Sequence, residues 1–117
     1  NEADVTGAAQ NVSGIFGCNM NSTATIYLSN CYNTGMITGG NESATISGWL
    51  GNNAVVDNCY NIGEVSGTEG SKTFARGGFS HMNCYETGGR QVPSINASQI
   101  AGGELCYLLN DGRETWQ

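Results

Sequence analysis

Charge is scarce in this chain of 117 residues: 12% of them are charged, with 4 Lys plus Arg against 10 Asp plus Glu. So few cations, under a net charge of −6, leave no surface to neutralise a phosphate backbone, and nucleic acid is not an expected partner. The same scarcity excludes a disordered acidic tail. Long apolar runs are missing as well. None approaches the length of a bilayer span, so no membrane insertion by this segment is expected. No signal peptide is visible, and a chain starting at Asn1 is expected to be a fragment or a mature product. Histidine occurs once, at His81, and no Cys-x-x-Cys is present, so a zinc site lacks its ligands. No Asp-x-Asp-x-Asp run supports a calcium loop, and Lys72 follows Gly70-Ser71 without the earlier glycine of a phosphate loop. His81 and Cys84, on one strand, point to opposite faces and make no nucleophile–base pair. Asp57, Glu64 and Glu86 are candidates for a glycosidase's paired carboxylates only in that they border corners. Nothing else supports catalysis, so neither an enzyme nor a cofactor is expected.

What is abundant is glycine, 18 residues against a single proline, together with asparagine, serine and threonine. Such a chain turns often and forms few helices. The turns recur. Asn-Cys-Tyr appears at Asn30-Cys31-Tyr32, Asn58-Cys59-Tyr60 and Asn83-Cys84-Tyr85, spaced by 28 and then 25 residues. Gly35, Gly63 and Gly88 follow at one offset. Ser13-Gly14-Ile15-Phe16-Gly17 matches Ser47-Gly48-Trp49-Leu50-Gly51, and Gly77-Gly78-Phe79 is what remains of this signature in the third copy. A fixed period of this length is the signature of a repeat architecture.

Within the second repeat three short runs, Ile46 to Leu50, Ala54 to Tyr60 and Glu64 to Ser66, alternate with glycine and asparagine corners. They suit strands and are too short for helices. Three strands and three corners make one coil, and successive coils stack in parallel about 4.8 Å apart. The expected fold is all-β: a short, right-handed parallel β-solenoid with a C-terminal capping helix. Two or three such coils bury little alone, so the chain is expected to belong to a longer array or to need caps. Residues 1–93 carry the repeats, and 94–117 form the cap helix and tail. Ser98 to Asn110 reads as the helix, starting in earnest at Gly103 or Glu104, with Ile100, Leu105, Leu108 and Leu109 on one face and Asn110-Asp111-Gly112 as the stop. Its expected place is over the open end of the last coil.

The Ser-Gly-Ile-Phe-Gly and Ser-Gly-Trp-Leu-Gly segments, each followed by Asn-Cys-Tyr-Asn-x-Gly-x-Ile/Val-x-Gly, resemble the GLUG repeat. That repeat occurs in large secreted or surface-anchored bacterial proteins, including gut Bacteroidota proteins and non-catalytic regions of immunoglobulin A1-type peptidases. The tail from Gly103 to Asn110, with Trp116-Gln117, is similar to the segment that often follows such repeats. The resemblance covers most of the chain, though the third copy departs from it. It implies a parallel β-solenoid on an exported bacterial protein, extracellular or at the cell surface, acting as a spacer or a binding surface rather than as an enzyme.

Of the five cysteines, Cys31, Cys59 and Cys84 fall at the same place in successive repeats. Stacked side chains point the same way, which disfavours a disulfide, so a structural ladder of buried thiols is expected. Two phasings are open for the neighbouring Tyr32, Tyr60 and Tyr85. Simple alternation buries the tyrosine and exposes Cys59. A corner at Asn58 buries Val56 and Cys59 and exposes Tyr60, and avoids three exposed thiols. An outward tyrosine column would offer a strip for stacking sugars, or rings packed on one another with no ligand. Trp49 is read as the counterpart of Phe16, core or half-core, and as a lesser candidate for ligand contact. Trp116 is read as an anchor to a following domain. Sequons at Asn11, Asn21, Asn41 and Asn96 reflect composition. The expected function is a structural or adhesive module. The alternative is glycan binding along the tyrosine strip, beside a carbohydrate-active partner domain, with a host or dietary glycan or a protein as ligand.

Overall fold

The computed structural model describes residues 1–19 and 23–111. Asn21, Gly112, Trp116 and Gln117 lie outside them, and with them the sequon, the end of the helix stop and the anchor expected there. The described chain is predominantly β, with eleven short strands and two short helices. Every strand pairing is parallel.

The chain visits four sheets in a fixed order and then returns to the first. β1 (Val5–Thr6), β2 (Phe16–Cys18), β3 (Ile26–Ser29) and β4 (Tyr32–Asn33) come from the first pass. β5 (Ile37–Thr38), β6 (Ser47–Trp49), β7 (Ala54–Asp57) and β8 (Tyr60–Asn61) come from the second. The third supplies β9 (Val65–Ser66), isolated bridges at Lys72 and Ala75, β10 (Phe79–Met82) and β11 (Tyr85–Glu86). The sheets are β1-β5-β9, β2-β6, β3-β7-β10 and β4-β8-β11. Each therefore gathers equivalent segments of successive repeats.

Each repeat makes four strand segments where the sequence suggests three. The run Ala54 to Tyr60 is broken at Asn58, whose φ of 56° ends β7 and starts a new direction. Asn30 and Asn83 hold the same left-handed corner, with φ of 54° and 48°. Asparagine tolerates this region better than other residues with a side chain. The pentapeptide match is also not the pairing used. Phe16 lies beside Ser47 and Cys18 beside Trp49, fixed by the Phe16 N–H to Ile46 carbonyl bond (3.0 Å) and the Asn19 N–H to Trp49 carbonyl bond (2.8 Å). The first repeat has a longer corner between its second and third strands, and the shift absorbs it. Trp49 is accordingly not in the core, and its register neighbour is Cys18 rather than Phe16.

Alternation sets the interior. In β7, Ala54 and Val56 are buried while Val55 and Asp57 are partly exposed. Ile46, Leu50, Val56, Cys59, Phe74 and Cys84 form the centre of the main core. Gly63 sits where backbones touch: a Cβ there would lie 2.2 Å from the Gly35 carbonyl oxygen.

The tail forms two helices, α1 (Ala97–Ala101) and α2 (Glu104–Asn110), separated at Gly103, where φ is 81°. Asn96 and Gln99 make a capping box at the start of α1. The sequence places the apolar helix face over the end of the last repeat. In the structure, Leu105 and Leu109 join Ile95 and pack against Tyr60 and Tyr85, on the flank. The rings supply the apolar surface that this face requires. The strand edge of the third repeat is instead covered by the segment before α1. Gln91 accepts from the N–H groups of Phe74 (2.8 Å) and Ala75 (3.2 Å) and donates to the Ala75 carbonyl (2.6 Å).

Candidate functional site

The left-handed asparagine corner fixes what faces in and what faces out. Val56 and Cys59 are buried and Tyr60 is partly exposed, the second of the two phasings open in the sequence. Each ladder thiol donates to the carbonyl two residues back: Cys31 to Ser29 (3.3 Å), Cys59 to Asp57 (3.2 Å) and Cys84 to Met82 (3.2 Å). The Asp57 and Met82 carbonyls also accept the N–H groups of Asn30 (3.1 Å) and Asn58 (3.0 Å) in the preceding repeat, so there the thiol adds a second donor. All three are free cysteines. A hydrogen bond with the Cys84 thiol, followed by burial, holds Cys59 far above the ordinary thiol range. The same hydrogen bond draws Cys84 below that range, which leaves Cys59 as the protonated, buried member of the pair.

The corner asparagines form a ladder of their own. Asn58 donates to Asn30 (2.7 Å), Asn83 donates to Asn58 (2.7 Å), and Asn83 also donates to the Leu109 carbonyl of α2 (3.1 Å). A second ladder runs from Asn33 to Asn61 (3.0 Å). Glu86 takes the third place in it, and its Oε1 accepts from the N–H groups of Arg90 (2.7 Å), Gln91 (2.6 Å) and Val92 (3.3 Å). That buried carboxylate anchors the turn beyond the last repeat. Asp57 is partly exposed in a strand and Glu64 is exposed, so neither shares the buried surroundings of Glu86. His81 is exposed with its ring 6.1 Å from that of Phe79, while the Cys84 thiol is buried and engaged. Among the described residues no group of three or more His, Cys, Asp or Glu is placed to hold a metal.

The tyrosines are in register, Tyr32 beside Tyr60 beside Tyr85. The Tyr32 and Tyr60 rings stack with centroids 5.2 Å apart and planes 10° from parallel. No sugar ring fits between faces at that distance, and α2 covers Tyr60 and Tyr85. Tyr32 donates to Glu2 (2.6 Å), which is the main reason its hydroxyl titrates above the usual phenol range. Burial is the main cause of the upward shifts of Tyr60 and Tyr85. The facing sides of Tyr32 and Tyr60 are closed to a ligand.

Trp49 stands on another side of the molecule, 37% exposed. The Arg76 guanidinium carbon lies 5.2 Å from its ring centroid. Arg76 is itself held by Glu42 (3.0 Å), the Asn11 side chain (3.1 Å) and the carbonyls of Gly70 (2.8 Å), Glu42 (3.2 Å) and Gly48 (3.1 Å). Gln10, Asn11, Glu42 and Trp49 line a concavity of about 360 Å³. Sequence reasoning misses Gln10, Asn11, Glu42 and Arg76, because they are far apart in the chain and follow no motif. The one available signal is an arginine appearing in the third repeat of a chain with only 4 basic residues.

Comparison with protein-family models, with curated proteins and with solved structures finds no match.

Proposed function

We propose that this chain is a non-catalytic structural repeat module of an exported bacterial surface protein. It is a GLUG-like, right-handed parallel β-solenoid whose third coil is closed by the segment before α1 and braced on its flank by α2. The observation that carries this reading is the pairing of each repeat with the next in the same four-sheet order, with like residue over like at Tyr32, Tyr60 and Tyr85. Repetition of this kind builds length, because each coil pairs its backbone with the next. The functional side of the proposal draws on what is buried: the thiols, the asparagine ladders and Glu86 are all engaged in holding coils together. Resemblance to the GLUG repeat supplies the surface location.

The test is immunolabelling of intact source cells with antibody raised against this chain. Labelling without permeabilisation, abolished by brief external protease treatment, is expected. Labelling only after permeabilisation overturns the surface assignment.

A further inference from the structure

We infer that the concavity around Trp49 is a binding site for a neutral pyranose sugar, formed by Trp49, Gln10, Asn11 and Glu42 and held in shape by Arg76. This inference is independent of the spacer role.

Arg76 gives the site its rigidity. Its side chain is 10% exposed, yet its ion pair, its four further hydrogen bonds and its contact with the indole all converge here. A guanidinium over an aromatic face is attracted to the ring quadrupole and holds the ring in place. The indole stays partly open to solvent, which is the arrangement a sugar needs: its axial C–H groups are weakly positive and lie against an aromatic face.

Unused polar groups surround the ring. The exposed Gln10 side chain offers a donor and an acceptor. Asn11 spends its carbonyl oxygen on Arg76 and keeps its NH₂ group. Glu42 pairs one carboxylate oxygen with Arg76 and keeps the other. Donors and acceptors interleaved around an aromatic platform suit vicinal hydroxyls, each of which both donates and accepts.

Backbone conformation places two of these side chains. Asn11 and Glu42 have φ of 60° and 64°. Glu42 is the one described residue in this region that is not Asn, Asp or Gly. Gly70, one repeat on, holds the same corner with φ of 81°, so the conformation belongs to the solenoid, and it is what sets the Asn11 and Glu42 side chains at one corner.

Charge selects the class of sugar. Arg76 is neutralised by Glu42 and enclosed by carbonyls, and the whole chain carries −6, so a uronic or sialic acid meets repulsion rather than a counter-charge.

The experiment is a titration of the ¹⁵N-labelled chain with cellotriose, maltotriose and lactose, with glucuronic acid as the acidic control. The readout is the Trp49 indole N–H cross-peak, distinguished from that of Trp116 by the Trp49→Phe spectrum. Saturable movement with at least one neutral sugar is expected, with Kd on the order of 1 mM as befits a shallow site. Trp49→Ala should abolish it, and Gln10→Ala, at an exposed position, should weaken it about 3- to 10-fold while the spectrum stays dispersed. No movement with any of the three sugars up to about 50 mM, far beyond the millimolar range, overturns the assignment. So does binding that survives Trp49→Ala, binding lost instead on Tyr32→Ala, or a stronger response to glucuronic acid. If Trp49→Ala fails to fold, unchanged affinity in Gln10→Ala overturns it.

Discussion

Asn58 combines three roles that no other residue type supplies together. It takes the left-handed φ of 56° that turns β7 into β8, donates to Asn30 (2.7 Å) and accepts from Asn83 (2.7 Å). Asn58→Ala loses the ladder and keeps the strained corner, so it should destabilise by about 2–4 kcal/mol in urea unfolding. Asn58→Gly loses the same bonds without the strain and should recover about 1 kcal/mol of that loss. Equal losses for the two variants would mean that the corner is not strained. Cys59 gives a second residue-scale expectation, through pH. Its folded thiol titrates far above its unfolded value of about 8.5. The hydrogen bond that raises Cys59 lowers Cys84, so what the pair contributes is the burial that acts upward on both thiols, and the folded state keeps a proton that the unfolded state releases as pH rises. The contribution is complete below about pH 8 and is lost above it, by up to about 1.4 kcal/mol per pH unit. Cys59→Ala should lower stability at pH 7 by about 1 kcal/mol and flatten this alkaline limb, read by thermal unfolding between pH 7 and 10. An unchanged limb in the variant would contradict a buried neutral thiol. The Asn-Cys-Tyr spacing made these residues visible as equivalent positions. Their orientation was not, because an extended chain and a chain broken at Asn58 bury opposite sets of side chains.

Among the elements, α2 is the one whose place the sequence leaves most open. Its amphipathic face is legible from Leu105, Leu108 and Leu109, but a pattern of apolar residues names no partner. The tyrosine flank was available because the asparagine corner turns Tyr60 and Tyr85 outward, and that corner is itself a tertiary outcome. Closure of the third repeat was hidden for a similar reason. Glu86 stands where the earlier repeats have Asn33 and Asn61, and its carboxylate gathers three backbone N–H groups that exist as a cluster only after folding. The docking of α2 has a spectroscopic signature. Leu109→Ala should cost about 2–5 kcal/mol, since the side chain is 1% exposed. It should also draw the hydroxyl titrations of Tyr60 and Tyr85 down towards the ordinary value of about 10, because burial is the main cause of their upward shift. Tyr32, shifted chiefly by Glu2, should not move. Ultraviolet difference titration separates these responses, and an unshifted Tyr85 would place α2 elsewhere.

For the whole molecule, the period of 28 and then 25 residues carried most of what could be read in advance: parallel strands, glycine and asparagine corners, and equivalent cysteines and tyrosines brought into columns. The number of sides did not follow, since a corner that uses asparagine with no glycine looks like a continuous strand. Nor did the Trp49 site, which joins Gln10 and Asn11 from the first repeat, Glu42 and Trp49 from the second, and Arg76 from the third. Side chains from three repeats meet there only because the repeats are stacked. Stacking in parallel register is thus the claim on which the rest depends, and nuclear Overhauser contacts between backbone protons test it most directly. The account predicts contacts linking Ile26 to Ala54 to Phe79 and Tyr32 to Tyr60 to Tyr85, with the amide-to-α-proton pattern of parallel strands. Antiparallel contacts, or none between residues separated by 28 and 25 positions, would contradict it.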